Sequence, residues 1–158
     1  MKRITSSVYT FENIIRDHFL YVDKTEYIWK LIVPPQEMYF LSRPRRFGKS
    51  LLVSTLKAIF EGRRELFDGL AISKKEYDWK PYPVIHFDMG NCSAKTPKAL
   101  ECFIEDRLCD IAAEHGVTLR GQSNATRFES LISALGKQEK VVILIDEYDK
   151  PILNNVTN

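Results

Sequence analysis

The sequence is short of the residues that would place it outright. Cysteine occurs three times in 158 residues, at Cys92, Cys102 and Cys109. Those spacings fit no metal knuckle and leave one thiol over from any pairing, so a disulfide scaffold and a zinc ribbon are both excluded. Reduced core thiols in a cytoplasmic protein are the expectation. The three histidines, His18, His86 and His115, do not cluster at metal-ligand spacing either, and His86 falls inside an apolar run as a packing residue. No stretch approaches the ~20 apolar residues of a membrane-spanning helix. Met1-Lys2-Arg3 is followed by no apolar segment of signal-peptide length. An excess of one charge is missing as well. Lys and Arg number 23 against 21 Asp and Glu, a net charge of +2, which gives no field that argues for nucleic acid or a membrane surface. Repeats and low-complexity tracts are absent. What remains, 44% hydrophobic and 28% charged, is ordinary for a globular chain long enough to bury a real core.

Against that background one stretch stands out: Met38-Tyr39-Phe40-Leu41-Ser42-Arg43-Pro44-Arg45-Arg46-Phe47-Gly48-Lys49-Ser50-Leu51-Leu52. It reads as a short apolar strand, a tight loop, and a helix opening on Gly-Lys-Ser. Gly48, Lys49 and Ser50 fill the second half of the phosphate-binding loop pattern, whose first glycine is replaced here by Arg43. The second half carries most of the chemistry. Gly48 lets the backbone approach an anion without a Cβ in the way. The N–H groups at the helix start, with its dipole, face the phosphates. Lys49 adds a point charge for the outer phosphates, and the Ser50 hydroxyl can sit on Mg²⁺. Arg45 and Arg46 flank the loop and are candidates to read phosphates or a partner protein. Phe47 and Leu51 complete the candidate nucleotide-binding segment.

A second stretch, Val141-Val142-Ile143-Leu144-Ile145-Asp146-Glu147, is an apolar run ending in two carboxylates. Unbroken aliphatic residues predict a strand buried on both faces, as in a parallel sheet covered by helices. A carboxylate at its carboxyl end lies where such sheets bind ligands. Asp146 is the candidate Mg²⁺ ligand, directly or through water. Glu147 is the candidate catalytic base that polarises a water against the γ-phosphate. Asp149 and Lys150 are expected to pair or cap the next element, and Asp88 to cap a turn.

The intervening chain supplies a plausible scaffold. Asp23-Lys24-Thr25 offers caps for a helix from about Glu26 to Ile32, stopped by Pro34-Pro35. A helix from Lys49 to about Glu61 presents Leu52, Leu56, Ile59 and Phe60 inward, with Gly62 as its stop. Phe67, Leu70, Ile72 and Trp79 tack the following segment to the body. Pro83 to Asp88 reads as a strand. Thr96-Pro97 opens a long helix with Leu100, Phe103, Ile104, Leu108, Ile111 and Ala112 on one stripe, ended by Gly116. A shorter helix follows, with Thr126 and Glu129 spaced as a capping box and Gly136 at its end. Strand, helix, strand, helices, strand predicts an α/β fold: a parallel sheet flanked by helices, with residues 1–36 as a helical lead-in and 37–158 as the core.

Three stretches together resemble the bacterial AAA-ATPase-like family: Tyr21-Val22-Asp23-Lys24-Thr25, Arg43-Pro44-Arg45-Arg46-Phe47-Gly48-Lys49-Ser50, and Asp146-Glu147-Tyr148-Asp149-Lys150-Pro151. The segment from Trp79 to Asp88 is similar too. Arg43 in place of the first loop glycine is usual in that family. The resemblance implies a P-loop NTPase fold with an extra strand between the loop strand and the acidic strand, ATP with Mg²⁺ as ligands, and a frequent C-terminal partner domain of the PD-(D/E)XK nuclease-like type.

Two functions fit that reading. One is an Mg²⁺-dependent ATPase in the full-length protein, using the loop, the metal and Glu147, with these 158 residues alone expected to bind nucleotide poorly and not to turn it over. The other is a nucleotide-binding switch that sets the conformation of a fused or separate effector with little turnover. The chain stops at Asn158, shortly after the acidic strand. The expectation is therefore a domain truncated after the Walker B strand. The strands near Phe40 and Ile143 would face a gap about one strand wide, an extra ~4.8 Å. The missing C-terminal remainder, a neighbouring copy in a homo-oligomer, or a rearranged segment are the candidates to fill it.

Overall fold

The computed structural model describes every residue except 1, 2, 6, 9, 34–38, 40–43, 45, 46, 138, 157 and 158, with backbone alone at 154–156. It shows an α/β chain divided into two units, Met1–Pro81 and Tyr82–Asn158. The strand expected over Met38–Leu41, apart from Tyr39, lies outside the described residues, as do Pro34, Pro35 and the gap expected beside Phe40.

The first unit is helical: α1 (Phe11–Arg16), α2 (Thr25–Ile32) and α3 (Lys49–Phe60), followed by single 3₁₀ turns at Arg64–Phe67 and Ala71–Lys74. Alone, a six-residue helix such as α1 would be unstable in water. Tertiary contacts hold it. The Phe11 N–H donates to Ser54 Oγ of α3 at 3.0 Å, and the Phe11 ring stacks on Phe67 at 4.6 Å and meets the edge of Tyr21 at 5.1 Å. These residues join Ile28, Ala58, Ile59, Leu66 and Ile72 in one buried cluster, with Trp79 tilted on Phe67 at 5.0 Å. Phe67, Leu70, Ile72 and Trp79 thus tie their segment to the body as expected. On α3 the inward face differs in detail. Ile59 is buried, but Leu52, Leu56 and Phe60 are half-buried, and Thr55 and Ala58 take the deepest places. Thr55 is tolerated there because its hydroxyl donates to the Leu51 carbonyl at 2.7 Å. The helix ends with Gly62 N–H on Ile59 O and Arg63 N–H on Ala58 O, both 3.0 Å. Arg63 then forks onto Glu12 of α1 at 2.6 and 2.7 Å. That hydrogen bond from Arg63 is the main reason the Glu12 carboxyl sits below its ordinary range.

The Tyr21-Val22-Asp23-Lys24-Thr25 stretch is a clasp. Asp23 Oδ1 accepts from the Thr25 N–H at 2.9 Å and from the Thr25 hydroxyl at 2.7 Å. Asp23 Oδ2 accepts from the Ala71 N–H at 2.7 Å, and Thr25 Oγ1 accepts from the Ile72 N–H at 3.0 Å. One short segment therefore satisfies the first backbone donors of the turn at Ala71–Lys74 while opening α2. Burial pushes the Asp23 carboxyl up, but the hydrogen bonds from Thr25 and Ala71 outweigh it and hold the group below its usual range.

The second unit holds β1 (Val84–Asp88), α4 (Pro97–Glu114), α5 (Asn124–Leu135), β2 (Val142–Asp146) and α6 (Lys150–Val156). The two strands pair in parallel, Val84 opposite Val142 through Asp88 opposite Asp146. The crossover between them carries both long helices, as a parallel pair requires. Ile85 and Phe87 of β1 pack with Leu108, Ile111 and Ala112 of α4 and Leu131 of α5, and Phe128 meets the Phe87 ring edge-on at 5.8 Å. Thr96 caps α4 by accepting from the Ala99 N–H at 3.2 Å, with Pro97 in the first turn. Asn124 Nδ2 on the Glu101 carbonyl at 2.8 Å and Arg127 on Glu105 join α5 to α4.

Three expectations are corrected here. The capping box of α5 is Ser123 with Thr126, not Thr126 with Glu129. A threonine hydroxyl reaches back to the Ser123 N–H as a glutamate would, so the helix gains a turn. β2 is not buried on both faces: Ile143 and Ile145 are 42% and 53% exposed, alternating with half-buried Val142, Leu144 and Asp146. Pairing with β1 occupies an edge of β2 and covers neither face, and alternate side chains point to opposite faces, so Ile143 and Ile145 share the exposed one. Of the cysteines only Cys92 is in the core. Cys102 and Cys109 are exposed, because they fall opposite the stripe through Leu108 and Ile111 on α4. Among the described residues no helix is long and apolar enough to cross a membrane.

Candidate functional site

The loop motif belongs to the first unit. Gly48 stands at the N-cap of α3 with φ 76° and ψ 28°. Among the described residues, its chain neighbours aside, no atom lies within 4 Å of where a Cβ would be, so what demands glycine here is the conformation. A left-handed L-residue would cost about 1–2 kcal/mol. This backbone reversal turns the chain directly into α3, so the N–H groups of Lys49, Ser50 and Leu51 occupy the first helical turn, where no intrahelical carbonyl can accept from them. The first turn holds no acidic residue to compete for them. Lys49 is exposed and Ser50 half-buried. Leu51 faces the buried cluster of its unit, so what it offers a ligand is its backbone N–H. Phe47 is 63% exposed. Arg45 and Arg46 lie outside the described residues.

The acidic motif belongs to the second unit. Parallel pairing places Asp88 and Asp146 side by side at the carboxyl ends of β1 and β2. Asp88 caps the turn at Met89–Asn91, as expected: its Oδ1 accepts from the Gly90 N–H at 2.7 Å. Asn91 Nδ2 reaches its other oxygen at 3.4 Å. Asp146 Oδ1 accepts from the Glu147 N–H at 3.0 Å. Glu147 adopts φ 51°, uncommon for a residue with a side chain and characteristic of functional turns. Its carbonyl accepts from the Lys150 N–H at 3.0 Å, and Asp149 O accepts from Leu153 N–H at 2.9 Å, so Asp149 and Lys150 start α6.

Sequence reading missed one neighbour of Glu147. A Cβ on Gly90 would stand 2.8 Å from Asp88 Oδ1 and 3.3 Å from Glu147 Oε2. The Asp-x-Gly step after a strand was the available signal, but it marks a turn without saying what lies against it.

Among the described residues no three His, Cys, Asp or Glu side chains converge to hold a metal ion. That donor set does not build an all-protein cage. Mg²⁺ is commonly held by one or two carboxylates, water and substrate phosphates.

The model of the AAA-ATPase-like family, described as a predicted AAA-ATPase, matches residues 6–158. Over 160 aligned residues, 99% of this chain, the sequence is 39% identical to an uncharacterized protein in the vnfD 5′ region of Azotobacter chroococcum mcd 1. The chain spans 31% of that relative's length. No solved structure matches it.

Proposed function

The chain belongs to the AAA-ATPase-like family, and from that premise we propose that the full-length protein binds ATP with Mg²⁺ and hydrolyses it. The observation that carries the reading is Gly48 in the left-handed conformation at the head of α3, the backbone form a phosphate-binding loop needs. In this reading Lys49 meets the outer phosphates, and the N–H groups from Gly48 to Leu51 cradle them. Arg45, Arg46 and Phe47 border the loop, Ser50 and Asp146 hold Mg²⁺, and Glu147 takes the proton of the attacking water. The fold is then a P-loop NTPase, with β2 as its acidic strand.

Lys49→Ala tests the site. Lys49 is exposed at the helix head, so the fold should persist while calorimetry records the loss of most MgATP affinity. Equal affinity in variant and parent would remove the assignment. A second reading is a nucleotide switch acting on an effector, a nuclease-like domain among the candidates. One observation favours it: the aligned relative extends well beyond the 31% that this chain spans. Turnover separates the two readings.

A further inference from the structure

Gly90 lies on neither candidate motif, yet it is the residue against which the Glu147 carboxyl rests. Three observations converge on it. Its N–H donates to Asp88 Oδ1 at 2.7 Å, fixing the turn after β1. The place of its missing Cβ is bordered by Asp88 Oδ1 at 2.8 Å and Glu147 Oε2 at 3.3 Å, closer than side-chain carbons normally stand. Glu147 itself follows β2 directly with φ 51°, a backbone conformation uncommon for a residue with a side chain. We propose that Gly90 is a positioning residue: by lacking a side chain it leaves the space at the carboxyl end of β2 in which the Glu147 carboxylate lies. The inference rests on the ATPase reading above, in which Glu147 is the base.

The consequence of adding a methyl group at residue 90 follows from what it would meet. Both near atoms are ends of side chains, not backbone. Alanine is therefore accommodated by swinging the carboxylates aside, which strains the Asp88 cap of the turn and changes where Glu147 points. A base contributes about 10²–10⁴-fold, and a shift of about 1 Å forfeits part of that.

The test is a double-mutant cycle on the full-length protein, with MgATP hydrolysis, nucleotide affinity and thermal melting measured for the parent, Gly90→Ala, Glu147→Gln and the pair. The expected result is a fall in kcat of about tenfold for Gly90→Ala, with KM near the parent's and a modestly lowered melting temperature from the displaced Asp88 cap. In the Glu147→Gln background, Gly90→Ala should then have no further effect. A purely structural glycine would slow both backgrounds equally, and that outcome, or an unchanged kcat, overturns the proposal. Should Gly90→Ala fold poorly, Asp88→Ala/Gly90→Ala compared with Asp88→Ala removes the tighter contact and keeps the one with Glu147. A crystal structure of Gly90→Ala decides the positioning itself. A Glu147 carboxylate found in its parental place overturns the inference whatever the kinetics. Absence of hydrolysis in the parent, with the carboxylate displaced in the variant, overturns the ATPase reading and not the positioning.

Discussion

Replacing Thr25 by valine changes one oxygen to a methyl group at a site with no solvent exposure. Shape is nearly conserved, so the cost is polar. The hydroxyl receives the Ile72 N–H at 3.0 Å in a buried bond and donates to Asp23 at 2.7 Å. Valine strands the Ile72 N–H, a penalty of about 1–3 kcal/mol. Loss of the bond to Asp23 adds less than a buried charged bond would, because Asp23 is exposed and screened. The total is about 2–3 kcal/mol. Thr25→Ser keeps both bonds and gives up one methyl group, about 1 kcal/mol. Both tryptophans of the chain, Trp29 and Trp79, lie in the first unit, so their fluorescence follows this unit in urea. With a slope of about 1–3 kcal/mol/M, Thr25→Val should lower the midpoint by about 1 M and Thr25→Ser by less. The pH dependence gives a second check. A carboxyl held below its ordinary range stabilises the fold above its unfolded pKa, near about 4, and that stabilisation is lost as pH falls through the folded value. Thr25→Val has part of this contribution already removed, so its stability should fall less steeply below about pH 4 than the parent's. A valine variant as stable as the parent, or a serine variant less stable than valine, would refute the clasp.

The remaining predictions concern the site and the second carboxyl. Glu147→Gln should keep MgATP bound and slow single-turnover hydrolysis by about 10²–10⁴-fold, and hydrolysis at the parental rate would show that the glutamate is not the base. Asp146→Asn should instead weaken binding only when Mg²⁺ is present, read by titration with and without the ion. Glu12→Gln should cost about 1 kcal/mol, since the fork from Arg63 is charge-assisted but both side chains are partly exposed. Its acid sensitivity has the same sign as that of Asp23: the Glu12 contribution is present above the unfolded carboxyl range and fades as pH drops through the depressed value, so urea melts of parent and variant should converge in acid.

Features set by a few adjacent residues were legible in the sequence. Thr96-Pro97 opens α4, Gly62 and Gly116 end their helices, and Val84–Asp88 is a strand, because caps, stops and short aliphatic runs act locally. The Asp88 cap was legible for the same reason. What depended on distant partners was not. Buried Thr55 looks polar until Leu51 accepts from it, and exposed Ile143 and Ile145 look like core until the second face of β2 is considered. For the candidate site, spacing proposes Gly48, Lys49, Ser50, Asp146 and Glu147. The approach of Gly90 to Glu147 could not be read from spacing, since it joins the ends of two strands far apart in the chain.

That separation also bears on how the second unit comes together. β1 and β2 are neighbours in space, yet all of α4 and α5 lies between them in the chain. Helices form from nearby residues, whereas a parallel pair must first close the whole intervening loop, and contacts of that span form slowly. The topology thus orders assembly: α4 and α5 can associate through Leu108, Ile111 and Leu131 before the strands zip. The carboxylates at the strand ends come into register late. A nascent or partly unfolded chain would carry its helical packing without its acidic edge, so chemistry at Asp146 and Glu147 would wait on the completed fold.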